Sequence, residues 1–290
     1  MTIPTAKQWA AKALPAAIVS LAILGAPPVA LGDEEFARTR FKEMSDYLAA
    51  EEAFAFTYDS VLEVVTTDGQ KLQLVSSGDA VVNRPDRIRV RRHGGFVDVE
   101  LIFDGTTLTV VGHNANAYTQ IETPGTIDQL IDVLRDTYNV PLPAADLLLS
   151  DVYGTLMPDV TDVKDIGTGV VGGIECDQFA FRTEEVDWQI WIAQGDRPFP
   201  CRYVITTKQI DGGPQYSIQV SDWITGDEVA ADDFAFQLDG DTVPGNAQVV
   251  QQSGQGEAGR HMARLSVQDD FDLVRRNGSH WRNSGHGPPV

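Results

Sequence analysis

The sequence predicts an α+β protein built on one antiparallel sheet. Apolar residues alternate with polar ones, the period of a strand, through most of residues 54–122 and 161–225. Turn pairs such as Asp68-Gly69, Asp104-Gly105 and Gly172-Gly173 break these runs, at the spacing of about 8–14 residues that marks a meander. Helical periodicity appears in only two places before the tail, residues 33–50 and 126–157.

The first helix, DEEFARTRFKEMSDYLAA, places Ala37, Phe41, Met44 and Leu48 on one face. Its acids Asp33, Glu34 and Glu35 fall in the first turn, where the helix dipole favours negative charge. Hairpin strands follow, with sequential neighbours expected to pair. At residues 126–157 the meander stops. Thr126 is placed as an N-cap, and Ile127, Leu130, Ile131 and Leu134 share a face. Leu147, Leu148 and Leu149 then cover most of a helix circumference, so this segment is buried on several sides or caps something apolar. The meander resumes and ends with FAFQLDG. The residues from 241 to 290 read as a polar tail too thin in apolar content to build a core.

One strand, VDWQIWIA at 186–193, carries a tryptophan on each face. Trp188 and Trp191 are three apart, and alternation sends them to opposite sides. An antiparallel sheet packs one face and wets the other. A second aromatic face therefore needs a cover or a ligand. By the same alternation Phe54, Phe56 and Tyr58 share a face, as do Tyr216, Ile218 and Val220.

Residues 1–32 read as a secretory signal peptide: Lys7 and Lys12, the apolar run 13–24, then a small-residue cleavage site with Ala30 and Gly32. The competing reading is an uncleaved anchor, against which the run is short for a span of about 20 residues. No acceptor cysteine for lipid follows. Removing these residues takes two lysines and no acids, so the charge of −20 becomes −22. Such a charge argues against nucleic acid and anionic membrane surfaces as partners. Export favours a disulfide between Cys176 and Cys201. Geometry opposes it: with the Trp188 strand between them the two lie about 9–10 Å apart, beyond the reach of about 7 Å.

No catalytic or metal constellation stands out, and neither an enzyme nor a cofactor is expected. His93 and His113 sit in turns, His261, His280 and His286 in the tail, none at ligand spacing. The basic stretch RPDRIRVRRH is the exception in an acidic chain. Arg87, Arg89 and Arg91 line one strand face, either as cross-strand partners of Asp98 and Glu100 or as a docking or latch face together with Arg84.

RPDRIRV at 84–90, residues 98–111, 114–151 and 170–181, VDWQIWIAQGDRPFPCRYVITTK and PQYSIQVSDW resemble a family of predicted periplasmic bacterial proteins carrying a domain-of-unknown-function label. The resemblance spans roughly residues 33–240. More distantly, RPDRIRV followed by DGTTLTVV is similar to the lipoprotein carrier LolA and its relatives LolB and RseB. This implies an incomplete antiparallel β-barrel, a half-barrel of about 10–11 strands, wrapped around the helix 33–50 with 126–157 as plug or lid. It also implies an apolar concave face that holds acyl chains, and an arginine of the early strands, Arg84, Arg87 or Arg89, that holds the lid. Phe54, Phe56, Tyr58, Leu130, Leu134, Leu147, Leu148, Trp188, Trp191 and Tyr216 are the cavity candidates. The expected function is a periplasmic binding protein for a lipid or lipoprotein acyl chain, without a stable membrane span in the mature form. The alternative is an RseB-like sensor or interaction module that binds an envelope protein.

Overall fold

The computed structural model describes residues 31–95, 97–229, 234–237 and 243–244. The proposed signal peptide and nearly all of the polar tail, with its three histidines, lie outside these residues.

Among the described residues twelve strands form one open sheet, more than the 10–11 expected. Helix α1, Leu31–Ala50, comes first. Strands β1 (Ala53–Val65), β2 (Lys71–Asn83), β3 (Arg87–Gly94), β4 (Asp98–Phe103), β5 (Thr107–Gly112) and β6 (Ala117–Glu122) make a first meander. The insert then folds as α2 (Ile127–Asp136), a 3₁₀ turn at Ala145–Leu148, and α3 (Val152–Leu156). Strands β7 (Asp162–Val171), β8 (Ile174–Arg182), β9 (Val186–Ala193), β10 (Pro200–Thr207) and β11 (Gln215–Thr225) make a second meander, and β12 is the pair Val243–Pro244. The spatial order is β12-β6-β5-β4-β3-β2-β1-β11-β10-β9-β8-β7. Sequential pairing holds within each meander. The join between them is β1 with β11, which no local pattern announces.

The helices start where their side chains allow. Thr126 caps α2 with a full capping box: its hydroxyl accepts from Gln129 N–H while the Gln129 side chain accepts from Thr126 N–H. On α1, Ala37, Phe41, Met44 and Leu48 are all buried, as their spacing requires. A residue at β2 shows how closely the sheet is packed. A Cβ on Gly78 would stand 2.5 Å from the Tyr58 ring and 2.1 Å from the Arg91 carbonyl oxygen. Only glycine lets the Tyr58 side chain cross β2 and donate its hydroxyl to the Arg91 carbonyl on β3, 3.1 Å away.

Both faces of β4–β6 are covered. Residues on one side, Phe103, Leu108 and Val110, join the main core. On the other side Ile102, Thr109 and Val111 are also buried. The segment 234–237 lies there: the Phe236 ring is 4.8 Å from that of Tyr118, and Phe234 is buried. β12 runs parallel to β6 beside it.

Candidate functional site

The inner face of the sheet, the one the helices cover, is assembled by register. Opposed residues in antiparallel strands share a face. One row runs Phe54, Val82, Ile88, Phe103, Leu108 across β1–β5. Another runs Tyr216, Ile205, Trp188, Phe181, Val163 across β11–β7. Trp188 stacks on Phe181 at 3.9 Å and meets Phe41 of α1 at 5.2 Å. Phe54, Phe56 and Phe199 each stack on Trp223 at 5.1–5.5 Å. Leu130, Leu134 and Leu147 are buried in this same core, and Leu148 packs against it.

The two tryptophans part as alternation requires. Trp188 is 2% exposed under α1. Trp191 faces the other side, half-buried beneath the Arg202 guanidinium at 5.7 Å, so it is not an inner-face residue. Its cover is a cation–π contact, worth about 0.5–1 kcal/mol at such a site. Tyr58 and Tyr216 lie on the inner face, and burial raises both phenols above the usual range. Between them Ser60 and Ser76 meet at 2.9 Å, and Arg92 Nε donates to Ser76 Oγ at 2.9 Å. Arg92 is the inner-face cation that the sequence reading passed over. It sits two residues on from Val90 and so shares the face of Ile88 and Val90, while Arg87, Arg89 and Arg91 point the other way.

Among the described residues, Arg84 is the one of the four arginines named as latches with a hydrogen bond to the insert. It precedes β3 at a cis Arg84-Pro85 corner. Its Nη2 donates to the Leu149 carbonyl at 3.3 Å, and its guanidinium lies 5.5 Å over the Phe54 ring. Its Nε is buried without a hydrogen-bond partner among the described residues. Burial holds this guanidinium below arginine's usual range, with Asp128 acting in opposition. Arg89 instead pairs with Glu100 at 2.8 Å and Arg91 with Asp98 at 3.4 Å, and Arg87 is exposed. Those pairs run diagonally across β3 and β4, because the residue directly opposite Arg91 is Glu100.

The insert is clasped at several points. Ile127 N–H donates to the Pro85 carbonyl at 2.9 Å. Asp128 accepts from Ser150 N–H and hydroxyl. Arg135 pairs with Asp146 at 2.9 Å and donates to the Leu142 carbonyl. Tyr153 N–H donates to Ser45 of α1 at 3.0 Å. These elements cover part of the inner face; Phe56, Leu62, Leu74 and Tyr216 on it are only part-buried. A groove of about 470 Å³ beside α1 is lined by charged residues such as Glu34, Arg38 and Lys42 with Tyr153, not by the inner-face aromatics.

Helix α1 is tied differently. Arg40 Nε meets Asp177 at 3.0 Å, with both side chains 12–15% exposed, and Arg40 also donates to the Ala193 carbonyl. Trp223 Nε1 donates to the Tyr47 hydroxyl at 3.1 Å. Asp177 was legible: with Phe179 and Phe181 it forms an i, i+2, i+4 set, an acid on an apolar face that demands a partner.

Cys176 and Cys201 have their sulfur atoms 2.9 Å apart, both wholly buried. β9 does lie between their strands. The expected separation of two strand spacings fails because Cys201 stands at a register shift between Pro200 and Arg202, and Cys176 is opposite Ala193, the last residue of β9. The side chains meet where the intervening strand ends.

This is an open, mostly β architecture with few helices. A family model described as "Predicted periplasmic protein (DUF2092)" matches residues 37–251. The chain belongs to this family, and its place is the periplasm. No curated protein sequence matches it. Among solved structures, lipoprotein LppX of Mycobacterium tuberculosis is similar at 14% identity and a TM-score of 0.40, over 66% of this chain and 96% of that one. The MucA/MucB complex of Pseudomonas aeruginosa is similar at 16% and 0.42, over 70% and 61%. A LolA superfamily protein from Nitrosomonas europaea is similar at 9% and 0.33, over 69% and 99%. All three TM-scores lie below 0.5, and the functional reading rests on this chain's own residues. Among the described residues no helix is long and apolar enough to cross a membrane.

Proposed function

We propose that the protein is a periplasmic binding protein, not an enzyme, that takes an acyl chain of a lipid or lipoprotein onto the inner face of a half-barrel. The observation that carries this reading is the Arg84 contact. A continuous aromatic and aliphatic face is covered over part of its area by a short insert. Arg84 ties that insert to the sheet through one charged donor on a neutral carbonyl, with a buried nitrogen left unsatisfied. A buried polar atom without a partner costs about 1–3 kcal/mol. That cost favours a cover that can be displaced. Burial of acyl methylenes, about 0.8 kcal/mol each, would offset the displacement. Arg92 at the edge of the apolar face suits the polar end of an amphiphile. The opened form is a minor state that ligand selects.

The test is native mass spectrometry of protein purified from periplasm, followed by organic extraction, alongside titration with a fluorescent fatty acid. Bound lipid, and tighter fatty-acid binding by Arg84→Ala than by the parent, are expected. A protein that is empty on extraction and binds no fatty acid in either form overturns the reading.

A second reading, a protein-interaction module, is favoured by β7. This strand ends the sheet, and its Ile166 and Val170 are 50% and 68% exposed. An extended segment of an envelope protein would add to this edge. Lys at Ile166 and Val170 would then abolish partner capture and leave lipid content unchanged.

A further inference from the structure

We infer that Cys176 and Cys201 are joined as a disulfide in the mature periplasmic protein, stapling β8 to β10 across the end of β9. Two free thiols lie in direct contact and sealed from solvent, and among the described residues no group of three or more metal-binding side chains occurs to claim them. The compartment is oxidising. The site also has a structural task. Cys176 adjoins Asp177, the carboxylate that holds Arg40 of α1. Cys201 lies two residues past Phe199, whose ring is parallel to Trp223 at 5.2 Å. The bridge therefore joins the two fixtures that seat α1 and the β11 aromatic stack.

The chemistry is thiol–disulfide exchange with a protein disulfide of the periplasm as oxidant. One cysteine thiolate attacks a sulfur of that disulfide, forming a mixed disulfide and releasing a thiolate. The second cysteine, losing its proton, attacks the mixed disulfide at the first cysteine's sulfur and releases the other thiolate. Two protons and two electrons leave this chain, and the oxidant becomes a dithiol. Because both sulfurs are wholly buried in the folded protein, exchange takes place before the sheet closes. The finished bridge then resists reductant until the protein unfolds.

The experiment needs no variant to decide the main point. Protein is taken from periplasm into acid, denatured, and treated with iodoacetamide with and without prior reduction. The expected result is no alkylation before reduction, two adducts after it, and an intact mass about 2 Da below that of the reduced chain. Two adducts without reduction overturn the proposal. The structural task is read from melting. Reduction under denaturant and refolding should lower Tm by roughly 6–12 °C, the scale of closing a loop of this size in a chain of this length. The Cys176→Ser/Cys201→Ser variant should melt with the reduced parent and ignore reductant. A parent Tm indifferent to the redox state overturns the stapling role. If the double variant does not fold, hydrogen exchange on the refolded, reduced parent decides: α1 amides should exchange faster while β2–β4 amides keep their protection, and an unchanged α1 overturns it.

Discussion

Where α1 lies against β7 and β9, Ala37, Phe41, Met44 and Leu48 are 0–1% exposed, and a charge-assisted pair, Arg40 with Asp177, locks the helix to β8. Where the insert meets the sheet, Leu130, Leu134, Leu147 and Leu149 are 4–8% exposed, and Arg84 donates to the Leu149 carbonyl with Asp128 acting on it and no carboxylate hydrogen-bonded to it among the described residues. Both covers bury apolar area. They differ in the polar fastening: both use a guanidinium donor, but Arg40 faces a part-buried carboxylate of opposite charge, whereas Arg84 faces a carbonyl dipole. On the proposed function, α1 is expected to stay seated while the insert opens first. Local opening draws on the least strongly held units of a fold.

The sharpest way to break that distinction is at Phe41, which meets Phe181, Trp188 and Tyr153 at 5.2–5.9 Å. Phe41→Ala should cost about 3–5 kcal/mol in urea unfolding. A cost below about 1 kcal/mol would mean that α1 is no more essential than the insert. Next is Asp177→Asn, which leaves Arg40 part-buried without its carboxylate on β8. A loss of about 1.5–3 kcal/mol is expected, with α1 amides exchanging faster.

Arg84→Met tests the other cover. It removes a buried group that is incompletely satisfied and keeps an apolar stem, so global stability should shift by less than about 1 kcal/mol. Amides of 127–156 should nevertheless exchange faster while those of α1 hold. If insert and α1 open together, the two covers are one unit.

The smallest effect tests the rim. Arg182 makes a two-pronged contact with Asp187 at 2.8–2.9 Å beside the β8–β9 turn, and that hydrogen bond holds the Asp187 carboxyl below its usual range. A folded-state value below the unfolded one stabilises above the unfolded pKa and is lost as pH falls through the folded one. Parent protein should therefore lose slightly more stability than Asp187→Asn between neutral pH and the acid end of the carboxylate range. Equal acid sensitivity of the two would remove the pair from the account.

Much of this was readable along the chain. Alternation placed Trp188 and Trp191 on opposite faces, the Phe41 stripe identified the buried face of α1, and Thr126 marked the start of α2. These are properties of periods and caps, set within a few residues. The same alternation carried Asp177 and Arg92 to the inner face, although the sequence reading did not use it there. Other features depend on contacts between distant segments. The join of β1 to β11 unites residues more than a hundred positions apart, and both strands have equally good hairpin partners nearby. Arg84 meets Leu149 and the Phe54 ring because it precedes β3 at the Pro85 corner, whereas its neighbours on β3 obey the strand and turn outward. Cys176 and Cys201 touch because a register shift falls at the end of β9. The sequence by itself determined which residues form each element and which face each buries, since those follow from local geometry. Only the tertiary structure decided which elements meet, because pairing, register and the ends of strands are settled by the whole sheet at once.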